Sequence, residues 1–458
     1  MVHNTPCLLT DINTHTWPLH HYFISPLSLF NPSKFTSLCG DQIISVHNMN
    51  RNNKEDMCIN EFIQRIQLNE SLYAKDWHMF TLCSTDLYTV PQLFIDDWLN
   101  WYWSRCRSEE DDYRFVYIGG KDTFTGVHHD VLCSYSWSVN IYGRKRWYMW
   151  PPEQVPLLYN HSLTSHVVDA RDGHYDPVEF PYVSQTSPLI IEQDVGDAIF
   201  VPSGWYHMVE NLGSDHSSNE EITVSLNHNW MNGFNIYEAW RFLLREFNSV
   251  RRELWEFHPY NSNTDPRMLM TLPEWIQQCE LVMQANSSMT SVEFVRMMCV
   301  RCYSLVQAGH IHNSDNINWS PPALLLRLDT ENCRNIRGVV QDLDTRIYHI
   351  LCQQIVESPI RDQSNLLSSI LNQRALDTEK EHPSSVHLNY DAECIASGYE
   401  KSFPMSALQY SFTQVLKVLE ELVHCDEVVT QLSHVLCTDT DLLKSELSEY
   451  VMWIVSNM

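Results

Sequence analysis

The sequence predicts an α+β protein, a β-rich barrel at the centre of the chain followed by a helical C-terminal block. Three observations predict it. Tryptophan divides the chain: of 15, 12 lie between Trp77 and Trp275, and only Trp453 lies beyond Trp319. Within that stretch two segments alternate with the period of two that a strand requires. Beyond about residue 235 the apolar period becomes helical.

In the first alternating segment Tyr135, Trp137, Val139 and Ile141 oppose Ser134, Ser136, Ser138 and Asn140. In the second, Ile222, Val224, Leu226, His228 and Trp230 oppose Thr223, Ser225, Asn227 and Asn229. A small polar face where a plain sandwich core would be aliphatic is the pattern of a barrel with a ligand in its mouth; a solvated outer face gives the same pattern. Ile199-Phe200-Val201 reads as a short buried strand, ended by the turn residues Pro202-Ser203-Gly204. Thr271-Leu272-Pro273-Glu274 and Thr290-Ser291-Val292-Glu293 are capping boxes, predicting helices over 275–283 and 294–306. Leu408, Phe412, Val415, Leu419 and Leu422 space as one apolar helix face after Ser406.

These readings divide the chain into an N-terminal α/β segment (1–109) flanking the barrel, the barrel core (110–235), a helical region (236–376), a polar linker (377–404, with Pro383-Ser384-Ser385) and C-terminal helices (405–458). The helical block is expected to complete the core by packing on the barrel; a homodimer or docking of a macromolecular substrate is the sharper alternative.

Composition narrows the function classes. With 30 Lys+Arg against 57 Asp+Glu the 458-residue chain carries a formal charge of −27. That excludes a grip on nucleic-acid backbones, which needs net positive surface, and a polybasic membrane contact. No run approaches the roughly 18–20 apolar residues of a membrane span, and 1–30 contains no signal-peptide pattern. The 14 cysteines are scattered, as reduced thiols of a cytoplasmic or nuclear protein are. The one CxxC, Cys299 and Cys302, lies in an apolar context and reads as two core thiols rather than half a zinc site.

The chemistry-bearing residues cluster around the first alternating strand. His128 and Asp130 stand two apart, so on an extended segment they share a face. His207 follows the Pro202-Ser203-Gly204 turn. Two imidazoles and one carboxylate on one face form the donor set of non-haem Fe(II) oxygenases, which leaves three coordination positions open. His-x-Asp alone is weak evidence, since His174-Tyr175-Asp176 repeats it in a loop-like stretch. The second sign is Gly143-Arg144-Lys145-Arg146-Trp147, a dense basic cluster that begins where the polar-faced strand ends. A dicarboxylate cosubstrate such as 2-oxoglutarate can chelate iron at one end while its distal carboxylate needs a fixed cation, and Lys145 is placed to supply one. Arg144 and Arg146 alternate with Lys145 and are expected to face the surface.

Together Thr125-Gly126-Val127-His128-His129-Asp130, the run from Trp137 to Pro152, and Gly196-Asp197-Ala198-Ile199-Phe200-Val201-Pro202-Ser203-Gly204-Trp205-Tyr206-His207 resemble a JmjC domain, over about residues 110–235. The resemblance implies a double-stranded β-helix, a JmjC/cupin-like barrel. It also implies His128, Asp130 and His207 as the iron ligands and Lys145 as the lysine for the distal carboxylate of 2-oxoglutarate. Thr125 falls where the family places a cosubstrate-binding hydroxyl. Asn227 falls where some members carry a threonine that contacts the same carboxylate. Trp137, Trp147 and Tyr206 are candidate walls of that pocket, with plain core packing the equal alternative for each. Residues 1–35 offer little that resembles the family's amino-terminal strand.

Further blocks, Lys75-Asp76-Trp77-His78, Asp96-Asp97-Trp98-Leu99-Asn100, Asp111 to Tyr117 and Asn227 to Asn235, extend the likeness to about 36–260. They resemble the branch of the family that hydroxylates a lysine of the translation-termination release factor. What the resemblance implies is an Fe(II)-dependent protein-lysine hydroxylase that converts 2-oxoglutarate and O2 to succinate and CO2, with release factor as partner. An N-methyl-lysine demethylase using the same iron, and an iron-free scaffold that keeps only the barrel, are the alternatives.

Overall fold

Both alternating segments are strands, and they pair with each other: β7 (Tyr135–Tyr142) and β12 (Ile222–Trp230) lie antiparallel inside an eight-stranded sheet. The computed structural model describes residues 3–26, 28–82, 87–106, 113–214, 221–313, 322–328, 345–358 and 403–456. The large sheet runs β1 (Cys7–Leu9), β10 (Ala198–Val201), β7, β12, β5 (Arg114–Gly120), β4 (Leu72–Trp77), β2 (Ile43–Asn48), β3 (Asn53–Cys58). A four-stranded sheet runs β6 (Phe124–His128), β11 (Tyr206–Gly213), β8 (Arg144–Trp150), β9 (Leu189–Gln193). From β5 onward the chain passes to the small sheet at β6, back at β7, and across again at β8; β10, β11 and β12 repeat the alternation. This is the double-stranded β-helix the resemblance implied.

The two faces of β7 and β12 divide as the alternation predicts. Ser138 Oγ donates to Asn227 Oδ1 at 2.8 Å across the polar face. On the other face the fully buried Trp137 ring lies between Phe94 and His228, with centroids 5.4 and 4.1 Å away. Burying such aromatic surface against an apolar layer stabilises the sheet, by about 1.5–3 kcal/mol for one large side chain fully buried. The chain crosses from β7 in the large sheet to β8 in the small one through Gly143 alone, at φ +68°, where a Cβ would come within 2.4 Å of the Ile222 carbonyl oxygen; only glycine fits.

The amino-terminal strand that the sequence did not reveal is present: Cys7, Leu8 and Leu9 pair with Phe200, Ile199 and Ala198. Three residues are too few to display alternation. On the large sheet pack α1 (Pro18–Phe23) against β7, α3 (Ile59–Gln67) against β2, β3 and β4, α4 (Met79–Leu82) against β5 and α5 (Trp98–Cys106) against β12, with α2 (Pro32–Cys39) between α1 and α3.

The helical block begins with α6 (Ile236–Glu253). The Thr271 capping box opens α7 (Leu272–Ser287), with Thr271 and Glu274 bonded reciprocally, and Thr290 with Glu293 does the same for α8 (Ser291–Asn313). Both helices outrun the expected 275–283 and 294–306, because the boxes themselves mark the true first turns. There follow α9 (Ala323–Leu328), α10 (Thr345–Gln353), the hairpin of β13 (Ile355–Ser358) and β14 (Phe403–Ser406), then α11 (Ala407–His424), α12 (Asp426–Val435) and α13 (Thr440–Ser456). Of the expected linker 377–404, residues 377–402 lie outside the described residues; Phe403 and Pro404 belong to β14, paired with Ser358 and Glu357. Leu408, Phe412, Val415, Leu419 and Leu422 are all buried on α11, whose first turn is closed by a Ser406–Gln409 capping box. No described helix is long and apolar enough to cross a membrane.

The block packs on the barrel end through α6 and α11, which Tyr237 Oη ties together by donating to Glu421 at 2.5 Å; Phe234, just past β12, meets Tyr410 of α11 at 4.9 Å between centroids. Closest of all is Gly233, just past β12, where a Cβ would lie 2.1 Å from Ser411 Cβ. Gly233→Ala is therefore expected to push α11 off the barrel, at a cost of about 1–3 kcal/mol, seen as a lowered thermal midpoint. An unchanged midpoint would show that the helical block floats on the barrel.

Candidate active site

The cavity that gathers the chemistry lies between the two sheets, with Tyr73, Tyr117, Thr125, His128, Asp130, Ser136, Ser138, Lys145, Trp147, His207, Asn227 and Asn229 in its wall. Strand pairing builds its centre. β6 and β11 are antiparallel with His128 and His207 as direct partners, so their rings meet on one face, 4.2 Å between centroids. Asp130, two residues after His128 on extended backbone, turns its carboxylate to the same side. One nitrogen or oxygen from each of His128, Asp130 and His207 lies within 4.8 Å of the others, the one such group of potential metal donors among the described residues. Leu132 and Cys133, at φ 56° and 50°, bend the chain sharply from Asp130 back into β7, a strained turn of the kind that collects at functional sites.

The donor set fits a first-row divalent cation. His128 Nδ1–H donates to the Gly126 carbonyl at 2.8 Å and His207 Nδ1–H to that of Trp205 at 3.2 Å, which leaves each Nε2 lone pair for a metal. Burial, with the nearby His207 ring adding to it, pushes the His128 pKa down to about 3, so the imidazole is neutral, as a ligand must be.

Lys145 is the second feature. It points inward from β8 and is 1% exposed. Its Nζ donates to Ser225 Oγ at 2.6 Å and faces the Tyr117 ring at 5.4 Å, and among the described residues no carboxylate pairs with it. Burial pushes its pKa down to about 7. An ammonium buried without a counter-charge is costly, and an anionic ligand would relieve that cost. Arg146 faces outward as expected, bonded to Glu192 at 2.6 Å, and Arg144 lies 3.6 Å from the same carboxylate.

Thr125 and Asn227 both border the cavity. Of the three expected aromatic walls, Trp147 lies inside, its ring centroid 5.7 Å from that of His207 and its Nε1–H bonded to Gln193 Oε1 at 2.8 Å. Trp137 borders the cavity, but its ring is held in the core stack on the opposite face. Tyr206 is corrected: it belongs to the outer side of the small sheet, against His129 and Tyr159, because neighbours along a strand point to opposite faces and His207 takes the inner one. The second His-x-Asp does not join the site; His174 is 56% exposed on a loop, 3.3 Å from Asp169. Cys299 and Cys302 are buried thiols on α8.

Tyr73, Tyr117 and Ser225 were not singled out in the sequence. Ser225 stood on the polar face of its strand, which was the available signal. Tyr73 and Tyr117 come from strands of the large sheet in which nothing local sets one tyrosine apart from the other 19.

A barrel of two sheets with two imidazoles and one carboxylate converging in its mouth, beside a buried lysine, defines a class: cupin-type barrels suited to a divalent metal and an anionic ligand. A family model described as cupin-like domain matches residues 1–236, just over half of the chain, and the chain belongs to that family. The match also takes in the first 35 residues. The chain is 33% identical over 319 residues to the Homo sapiens protein named 2-oxoglutarate and iron-dependent oxygenase JMJD4, covering 65% of this chain and 70% of that protein. The Danio rerio protein of the same name is 35% identical over 314 residues, 65% of this chain and 69% of its own. An Arabidopsis thaliana protein named arginine-specific demethylase JMJ20 is 33% identical over 275 residues, 55% of this chain and 57% of that one.

Proposed function

We propose that this protein is an Fe(II)- and 2-oxoglutarate-dependent oxygenase that hydroxylates a side-chain carbon of a lysine in a protein substrate, the translation-termination release factor. The observation that carries the oxygenase reading is the pairing of the His128–Asp130–His207 donor cluster with the buried Lys145, which meets no carboxylate among the described residues, in one cavity. Likeness to proteins named 2-oxoglutarate and iron-dependent oxygenase supports it. The lysine substrate rests on the resemblance of the sequence blocks around Lys75, Asp96 and Asn227 to 235.

In this reading His128, Asp130 and His207 hold the metal, and Lys145 with Thr125 and Asn227 holds the cosubstrate. Bound there, iron and 2-oxoglutarate supply oxidising power from O2, yielding succinate, CO2 and one oxygen atom for a substrate C–H bond. The chain's own work is orientation and exclusion of water. Lys145 fixes the distal carboxylate by charge and Ser225 fixes Lys145. Trp147, locked by Gln193, closes the wall beside His207.

Mass spectrometry of purified release factor after reaction decides the substrate: one lysine gaining a single oxygen is the expected result, and an unmodified factor beside active 2-oxoglutarate turnover removes it. Likeness to a protein named a demethylase favours one second reading, N-methyl removal at the same site. Formaldehyde release from a methylated peptide would then be the product. The acidic surface suits steering of a basic substrate, so KM for the protein substrate is expected to rise with salt; a flat KM would reduce the charge of −27 to solubility.

A further inference from the structure

We infer that Ser136 and Asn229 are positioning residues for the metal, setting the orientation of the Asp130 carboxylate; the inference rests on the iron reading above. Both oxygens of Asp130 are held. Ser136 Oγ donates to Oδ2 at 2.8 Å and Asn229 Nδ2 donates to Oδ1 at 2.8 Å. The two donors are direct partners across the β7–β12 ladder, so the carboxylate bridges a pair of side chains whose spacing the sheet itself fixes.

Two bonds to two oxygens stop rotation about the Cβ–Cγ axis. Both donors are neutral, so the full negative charge stays available for a cation, and each oxygen keeps a lone pair. A carboxylate free to rotate could swing to chelate with both oxygens and block a position that cosubstrate or O2 requires. The clamp therefore serves an open coordination sphere as well as affinity.

Its anchor lies outside the barrel. The Asn229 backbone N–H donates to the Tyr113 carbonyl and its own carbonyl accepts from Asn100 Nδ2, both at 2.9 Å. Asn100, on α5, is fixed by Asp97, which accepts its backbone N–H at 2.9 Å and its side-chain amide at 2.6 Å. The start of α5 thus sets the end of β12, and the end of β12 sets Asp130.

The test titrates Fe(II) anaerobically into the full chain at saturating 2-oxoglutarate, following the metal-to-ligand charge-transfer absorbance, for wild type, Ser136→Ala, Asn229→Ala and Ser136→Thr. Fe(II) affinity is expected to fall about 10- to 100-fold in each alanine variant. At saturating iron the KM for 2-oxoglutarate rises in the alanine variants, since an unclamped carboxylate competes for a cosubstrate position, and Ser136→Thr keeps wild-type affinity because it keeps the hydroxyl. Circular dichroism melts report folding. Should Asn229→Ala fail to fold, the isosteric Asn229→Asp, which sets an acceptor against the carboxylate, takes its place. Wild-type Fe(II) affinity in the folded alanine variants overturns the inference and leaves the iron reading standing. Absence of the charge-transfer band in the wild-type chain overturns both.

Discussion

Asp130→Asn is expected to abolish iron-dependent turnover, with 2-oxoglutarate consumption falling by well over about 100-fold. That figure exceeds the 10- to 100-fold typical of losing a group outside the ligand set, because here the anionic ligand itself is removed. An asparagine also fits its surroundings badly. Ser136 and Asn229 both donate to the carboxylate, and an amide offers only one acceptor, so one donor is left facing an N–H group. Measured as succinate formed against substrate oxidised, any variant that still couples the two would refute the ligand assignment. Fold should survive: Asp130 stands outside the strands, at the start of the turn into β7.

Lys145→Met should raise the KM for 2-oxoglutarate by about 150-fold, equivalent to about 3 kcal/mol, the lower range for removing one partner of a buried ion pair. The pH dependence has a definite sign. Burial holds the Lys145 pKa at about 7 against an ordinary 10.5. Between those values the unfolded chain carries a proton that the ligand-free native chain lacks, so the stability contribution of Lys145 rises with pH across that window. Cosubstrate binding runs the other way: the dicarboxylate requires the ammonium form, so above about pH 7 binding must take up a proton and KM rises with pH. In Lys145→Met both slopes vanish. Steady-state KM at several pH values, beside thermal melts without ligand, tests them together; a wild-type KM flat from pH 6.5 to 8.5 would mean that Lys145 does not meet the cosubstrate.

The parts legible in the sequence were those where a local pattern reports a long-range fact. Alternation in 134–141 and 222–230 separated the buried aromatic face from the polar one, and the polar face is the cavity wall. His-x-Asp with a distant histidine was readable only because spacing on extended backbone fixes a shared face. Tyr73 and Tyr117 were illegible, since their place in the wall follows from strand order β12–β5–β4, which no local period encodes. Tyr206 takes the core alternative for a related reason: a residue next to a site histidine in a strand faces away from it. Thr271 and Thr290 marked their helices, yet the expected starts fell late because the first turn lies within the capping box itself, Leu272–Glu274 and Ser291–Glu293.

The large sheet recruits β1 at one side of the barrel strands and β4, β2 and β3 at the other. The barrel is consequently not a self-sufficient unit. A fragment cut at 110–235 would bare the backbone edges of β10 and β5 at once, two unpatched rows of amides and carbonyls ready to zip onto neighbouring copies. A longer piece that begins with Cys7 keeps both of those edges paired, and attempts to miniaturise this protein should trim from the helical end, sparing the face of α11 that meets Gly233.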